Sequence, residues 1–190
     1  MYLDLDDRSS LWVWRVRVRN TGDAPVEVDV VYGQDLGLAD EGAVRNNEAY
    51  VSHYLDHAIE THPTCGPVVM TRQNQPQGGG RHPWLMQGCV GGGRAFCTDG
   101  LQFFGTSCKR DGVPAACLAD LLPSSRLQRE FAYTGLQSEL LRLGRGESAE
   151  VGFFAWYEPD HGEPSSRADL GRITLVIEAV ARLAGRAVHS

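Results

Sequence analysis

A chain of 190 residues with 42% hydrophobic and 22% charged residues carries enough apolar material for one folded domain and, at most, an appended element. Its formal charge of −6, with no basic stripe, argues against a nucleic-acid partner, which phosphate-neutralising cations would have to hold. No stretch approaches the ~20 apolar residues that span a bilayer. The start, MYLDLDDRSS, has acids where a signal peptide has a basic region, so no membrane partner and a cytoplasmic location are expected.

Residues 11–32 read as a hairpin. Trp12, Trp14, Val16 and Val18 alternate with Val13, Arg15, Arg17 and Arg19, and after NTGDAP the alternation resumes with Val26, Val28, Val30 and Tyr32. Period-2 alternation buries one face and wets the other. Placing Arg19 opposite Glu27 puts Arg17 opposite Asp29, each pair worth at most about 1 kcal/mol. GQDLGLADEGAVRNNE (33–48) reads as a loop. AYVSHYLDHAIE (49–60) reads as a strand, because Tyr, Val and Ile are frequent and no helix cap is evident. After the break HPTCGP, strands are expected at 67–73, 84–90, 93–98 and 101–108, with Gly78–Gly80 and Gly91–Gly93 as flexible hairpin loops.

CLADLLPSS has no dominant pattern, and 126–143 mixes helix and strand signals. LQSELLRLGRGESAEVGFFAWYE reads as a strand, a tight turn and a strand closing a sandwich sheet. EPDHGEPSSRA (158–168) is a polar linker. Beyond it Leu170, Ile173, Ile177, Val180, Ala181 and Ala184 recur at helical spacing. Their apolar face must pack on the sandwich, on another chain or on a further domain. The fold class expected is all-β, an antiparallel β-sandwich over 1–160, followed by a linker and an amphipathic helix over 161–190.

Cys65, Cys89, Cys97, Cys108 and Cys117 are odd in number and lack a CxxC pair, which suits buried free thiols better than a disulfide framework or a zinc ribbon. The acids Asp35, Asp40, Glu41 and Glu48 could supply the two carboxylates of a glycosidase, but in a polar loop they read as solvated surface acids. His53 and His57 flank Asp56; on a strand they stand about 13 Å apart, too far to share one ion. No metal is expected there. The glycine runs lack GxxxxGK[ST], so no nucleotide cofactor is expected. Ser107 lacks the strained elbow of a nucleophile, and no catalytic residue is assigned. What remains is binding chemistry. Arg72, Gln73, Asn74, Gln75, Arg81, His82 and Trp84 offer fork donors, amides and an aromatic platform suited to a sugar. An equal reading makes Trp84 a buried plug at the sandwich edge.

The ordered segments GQDLGLADEGAVRNNEAYVSHYLDH, GPVVMTRQNQPQ, HPWLMQG and FCTDGLQFFG resemble the N-terminal region of glycoside hydrolase family 94 over roughly residues 10–160. The likeness is greatest to its 1,2-β-oligoglucan phosphorylase branch, with cyclic β-1,2-glucan synthases and cellobiose phosphorylases as more distant kin. The resemblance implies a galactose-mutarotase-like supersandwich, incomplete here, that precedes a helical linker, an (α/α)6 barrel and a small β-domain. It implies inverting phosphorolysis of a β-glucan oligosaccharide by inorganic phosphate, with the general acid in the barrel. That barrel lies outside these residues, so no catalytic residue carries over. The resemblance also implies a homodimer partner, and sandwich loops near the active-site mouth. Asp40, Asn46, Asn47 and Glu48, with the loop 72–84, are the candidates for that role. The rival expectation is a free-standing carbohydrate-binding or scaffold module.

Overall fold

The computed structural model describes residues 1–128 and 131–187; the predicted segments 126–143 and 161–190 extend in part beyond them. The described strands are β1 (Tyr2–Leu5), β2 (Leu11–Arg19), β3 (Val26–Val28), β4 (Val31–Asp35), β5 (Leu55–His62), β6 (Gly66–Gln73), β7 (Trp84–Val90), β8 (Gly93–Asp99), β9 (Ala132–Ser138), β10 (Leu141–Leu143) and β11 (Ser148–Glu158). The helices are α1 (Glu41–Ser52), α2 (Gly100–Phe104), α3 (Cys108–Asp111) and α4 (Ile173–Ala187).

Alternation along the strands divides the apolar residues among four layers. A six-stranded antiparallel sheet, in the order β1-β2-β11-β7-β6-β5, faces a three-stranded sheet, β4-β9-β8. Between them Val69, Cys89 and Phe153 of the large sheet meet Leu136, Tyr32 and Phe96 of the small one. On its other face the large sheet presents Leu11, Val13, Met70, Trp84, Met86 and Phe154 to Ile173, Val176, Ala179 and Leu183 of α4. The outer face of the small sheet packs Ala95, Cys97 and Tyr133 under Phe103, Ala116 and Leu122. The all-β sandwich with a C-terminal helix is therefore observed.

Several local expectations are corrected. The hairpin of residues 11–32 does not form. β2 lies between β1 and β11, where Arg17 faces Glu150 and Arg19 faces Ser148. β3 instead pairs with β10, and Glu27 faces Arg142 in a 2.7 Å ion pair. Opposite charges do face each other, but across other strands. Buried Asn20 turns the chain at the end of β2, donating its Nδ2 to the carbonyls of Ala24 (2.8 Å) and Leu143 (3.0 Å). β10 and β11 form as expected, yet each pairs elsewhere rather than with the other.

Of residues 33–48, only 36–40 form a loop. Gly33–Asp35 complete β4, and Glu41 opens α1. Within the predicted strand 49–60, the chain is helical through Ser52 and extended only from Leu55. The helix escapes a periodicity test because only Val51 and Ser52 are buried. The expected strand 101–108 is replaced by α2, which Asp99 caps by accepting from the backbone N–H of Leu101 (2.9 Å) and Gln102 (3.3 Å). On α4, Ile177, Ala181 and Ala184 of the predicted stripe face outward, and Val176, Ala179 and Leu183 make the contact with the sheet. Cys65, Cys89 and Cys97 are buried free thiols, whereas Cys117 is exposed.

Candidate functional site

The register of the large sheet sets Arg72, Trp84 and Glu158 side by side at one end. Arg72 pairs with Trp84 across β6–β7, and Glu158 pairs with Trp84 across β7–β11. Each of the three holds a different part of the segment between β11 and α4. Arg72 donates its Nε to the His161 carbonyl (2.8 Å) and an Nη to the Gly162 carbonyl (3.0 Å). Trp84 stacks on the His161 ring, with centroids 4.8 Å apart and planes 15° apart, and donates its Nε1 to Ser165 Oγ (2.8 Å). Glu158 accepts from Arg172, whose guanidinium carbon lies 5.1 Å from the Trp84 ring centroid. Asp169 joins the same cluster, bonded to His161 Nε2 (3.0 Å) and accepting from Arg172 (2.6 Å) and the Ser166 N–H (2.7 Å). Burial alone would raise its carboxyl pKa, but the Ser166 N–H, His161 and Arg172 together leave it below the usual carboxylate range.

This clamp uses up residues that sequence chemistry assigned to a sugar. Trp84 is fully buried, which corrects its reading as an exposed platform and agrees with the alternative of a buried plug. Arg72 is also buried, with Asn74 as a further partner. Gln73 points to the opposite face. Its Oε1 accepts from the Gln75 N–H (2.9 Å), and its carbonyl lies 3.0 Å from His82 Nδ1. Both contacts close the base of the β6–β7 loop. At the loop tip Gly79 (φ 80°) and Gly80 (φ 78°) supply the left-handed backbone that brings Gln77 back beside Arg81.

Two candidates that were far apart in sequence do converge. Asp40 and Arg81 line one cleft of about 280 Å³ together with Leu38, Gln77, Pro83 and Tyr157. The Asp40 N–H donates to Gln77 Oε1 (3.2 Å), and exposed Arg81 is steadied by its Nε bond to the Gly78 carbonyl (2.9 Å). A guanidinium fork, a carboxylate, an amide and a phenol ring around one polar hollow can take up hydroxyl or phosphate oxygens. Asn46, Asn47 and Glu48 sit on exposed α1, away from the lining of this cleft. Asn47 kinks the helix (φ −158°, ψ 67°). Glu48 lies beside Asp35, whose charge raises its carboxyl pKa. Among the described residues no group of three or more His, Cys, Asp or Glu is placed to hold a metal, and no helix is long and apolar enough to cross a membrane.

Sequence reasoning missed Tyr157, His161, Asp169 and Arg172, and had Gln77 only as part of the loop 72–84. One signal was available: Ser166 and Asp169 stand at capping-box spacing, and both bonds of the box form. The linker was read for its polarity alone.

Fold and site together define a β-sandwich domain with a helix packed on its large sheet, a linker clamped at that sheet's end and a polar cleft at its rim. The sequence model of the SOGP N-terminal domain family matches residues 1–155, and the chain belongs to that family. A curated relative, the 1,2-β-oligoglucan phosphorylase of Listeria innocua serovar 6a, is 39% identical over 148 residues. That match covers 78% of this chain and 13% of the relative, so the chain spans a small part of that protein's length. Among solved structures, a polysaccharide lyase aligns over 80% of this chain and 19% of its own, at 14% identity and a TM-score of 0.46.

Proposed function

We propose that the chain serves as a non-catalytic N-terminal domain of a β-glucan phosphorylase-like enzyme, with β-1,2-oligoglucan as the substrate class. In this reading residues 1–160 are the sandwich and 161–190 lead to a catalytic barrel. The sandwich then supports the barrel and a homodimer interface in a cytoplasmic enzyme that uses inorganic phosphate. One observation carries the reading: the sandwich is kin to the N-terminal domain of a far longer phosphorylase. The clamp supports it physically. Arg72, Trp84 and Glu158 fix the linker that lays α4 across the outer face of the large sheet, as a domain that orients a following domain requires. The Asp40–Arg81 cleft supplies the rim that approaches the bound glucan.

The test uses the purified chain with α-glucose 1-phosphate and sophorose. Phosphate release above the blank contradicts the reading, and none is expected. The Asp40–Arg81 cleft also favours a second reading, a free-standing carbohydrate-binding module. Calorimetric titration with β-1,2-glucooligosaccharides separates the two. Tight binding that Arg81→Ala removes supports the module, whereas the domain reading expects weak or no binding without a barrel.

A further inference from the structure

His161 is 7% exposed, and its ring is held between the Trp84 indole and the linker to which it belongs. Both ring nitrogens are engaged. Nδ1 stands 2.7 Å from the Glu163 carbonyl oxygen, and Nε2 stands 3.0 Å from Asp169 Oδ1. Each of these partners is an acceptor. A neutral imidazole has one N–H and one bare nitrogen, so either tautomer would set a lone pair against an oxygen. Asp169 does not supply the missing proton. Against the effect of its burial, the Ser166 N–H, His161 and Arg172 keep its carboxyl below the usual range. Both contacts close only when the ring carries a hydrogen on each nitrogen and is a cation.

The hold on that cation is shared. Asp169 Oδ1 also accepts from Arg172 (2.6 Å), and Oδ2 is taken by the Ser166 N–H (2.7 Å). From β6, Arg72 brings a second guanidinium to the His161 carbonyl (2.8 Å). From β11, Glu158 accepts from Arg172 (3.0 Å). From the β6–β7 loop, the His82 carbonyl accepts the His161 N–H (2.8 Å), and Asp160 accepts from the His82 N–H (2.9 Å). Trp84 of β7 adds an uncharged face. His161 also borders a hollow of about 430 Å³, lined by Glu158, Asp160, Glu163 and Ser166 among others, which gives its proton a route to water.

We propose that His161 is a pH-operated latch: its imidazolium ties residues 161–169 to the end of the large sheet, and loss of one ring proton loosens the junction between the sandwich and α4. The latch is complete at the acid end of the histidine range, about pH 5, and is lost as the pH rises towards about 8. The neutral ring leaves a bare nitrogen against a buried acceptor, which costs more than a lost bond at the surface. Arg72 and Trp84 keep their own bonds to the linker, so the release is local and leaves the sheets folded.

The test follows the full chain by NMR between about pH 5 and 8. At the acid end both His161 ring nitrogens should carry hydrogens. Protection of the backbone amides at 161 and 169, corrected for the intrinsic exchange rate, should fall by about tenfold or more as the ring loses one of them. His161→Gln should make protection of the same amides independent of pH, while His82→Gln should leave the fall in place. Asp169→Asn removes the carboxylate but keeps the ring, and should move the fall to more acid pH. The proposal is overturned by a ring that keeps the same number of hydrogens across the whole range, or by protection that stays flat while the ring titrates. A fall that survives His161→Gln, or one that Asp169→Asn does not move, also overturns it.

Discussion

Replacing Trp84 by alanine removes a fully buried indole from between the large sheet and the linker, and a loss of about 3–5 kcal/mol in urea unfolding is expected. Arg81→Ala, at the exposed rim, should stay within about 0.5 kcal/mol of the parent in the same measurement. The contrast matters because both residues stand in one sequence segment with the same apparent sugar chemistry. His57 supplies a pH test. It is buried against Thr71 Oγ1 at 2.9 Å, and burial, aided by nearby Arg126, pushes its pKa from 6.5 down to about 4. Between those values the unfolded chain binds more protons than the folded one. Stability is therefore complete above pH 6.5 and falls as the pH drops towards 4, by on the order of 3 kcal/mol. The urea midpoint measured from pH 7 to pH 4.5 should show this slope, and His57→Asn should flatten it.

At the scale of elements, the clamp depends on a short cap. Ser166→Ala deletes one bond of the capping box at the start of the short 3-10 helix Arg167–Arg172 and should cost about 1 kcal/mol, with faster amide exchange at Asp169. Gly33 is fixed by crowding rather than by its backbone angle. A Cβ there would meet Tyr133 Oη at 2.3 Å and Phe103 Cζ at 2.7 Å, so Gly33→Ala should destabilise by about 1–3 kcal/mol in urea unfolding. Strands with clean alternation or continuous apolar runs, such as β2, β6, β7 and β11, were legible because burial on one or both faces imposes a period. Their partners were not. Arg17 finds an acid equally well in Asp29 or Glu150, and only the folded core selects β11. The helix α1 was illegible because its exposed turns carry no stripe, and α2 because a five-residue helix depends on its Asp99 cap rather than on a pattern.

At the scale of the whole molecule, the all-β class followed from residue patterning, and the likeness to 1,2-β-oligoglucan phosphorylases followed from ordered motifs, in keeping with the curated relative and the SOGP N-terminal domain match. The candidate site was legible only in part. Residue type marked Arg72 and Trp84 as chemically unusual. It could not show whether they turn outward to a ligand or inward to the chain's own linker, since that depends on the register of β6, β7 and β11. The convergence of Asp40 with Arg81 needed the fold, because about forty residues separate them in the chain. The central claim is that this sandwich serves a phosphorylase barrel which it does not itself contain. Grafting residues 1–155 in place of the matching region of the Listeria innocua 1,2-β-oligoglucan phosphorylase tests it most directly. Phosphate-dependent glucan cleavage by a folded graft is the predicted result; a graft that folds and assembles like the parent enzyme but shows no turnover contradicts it.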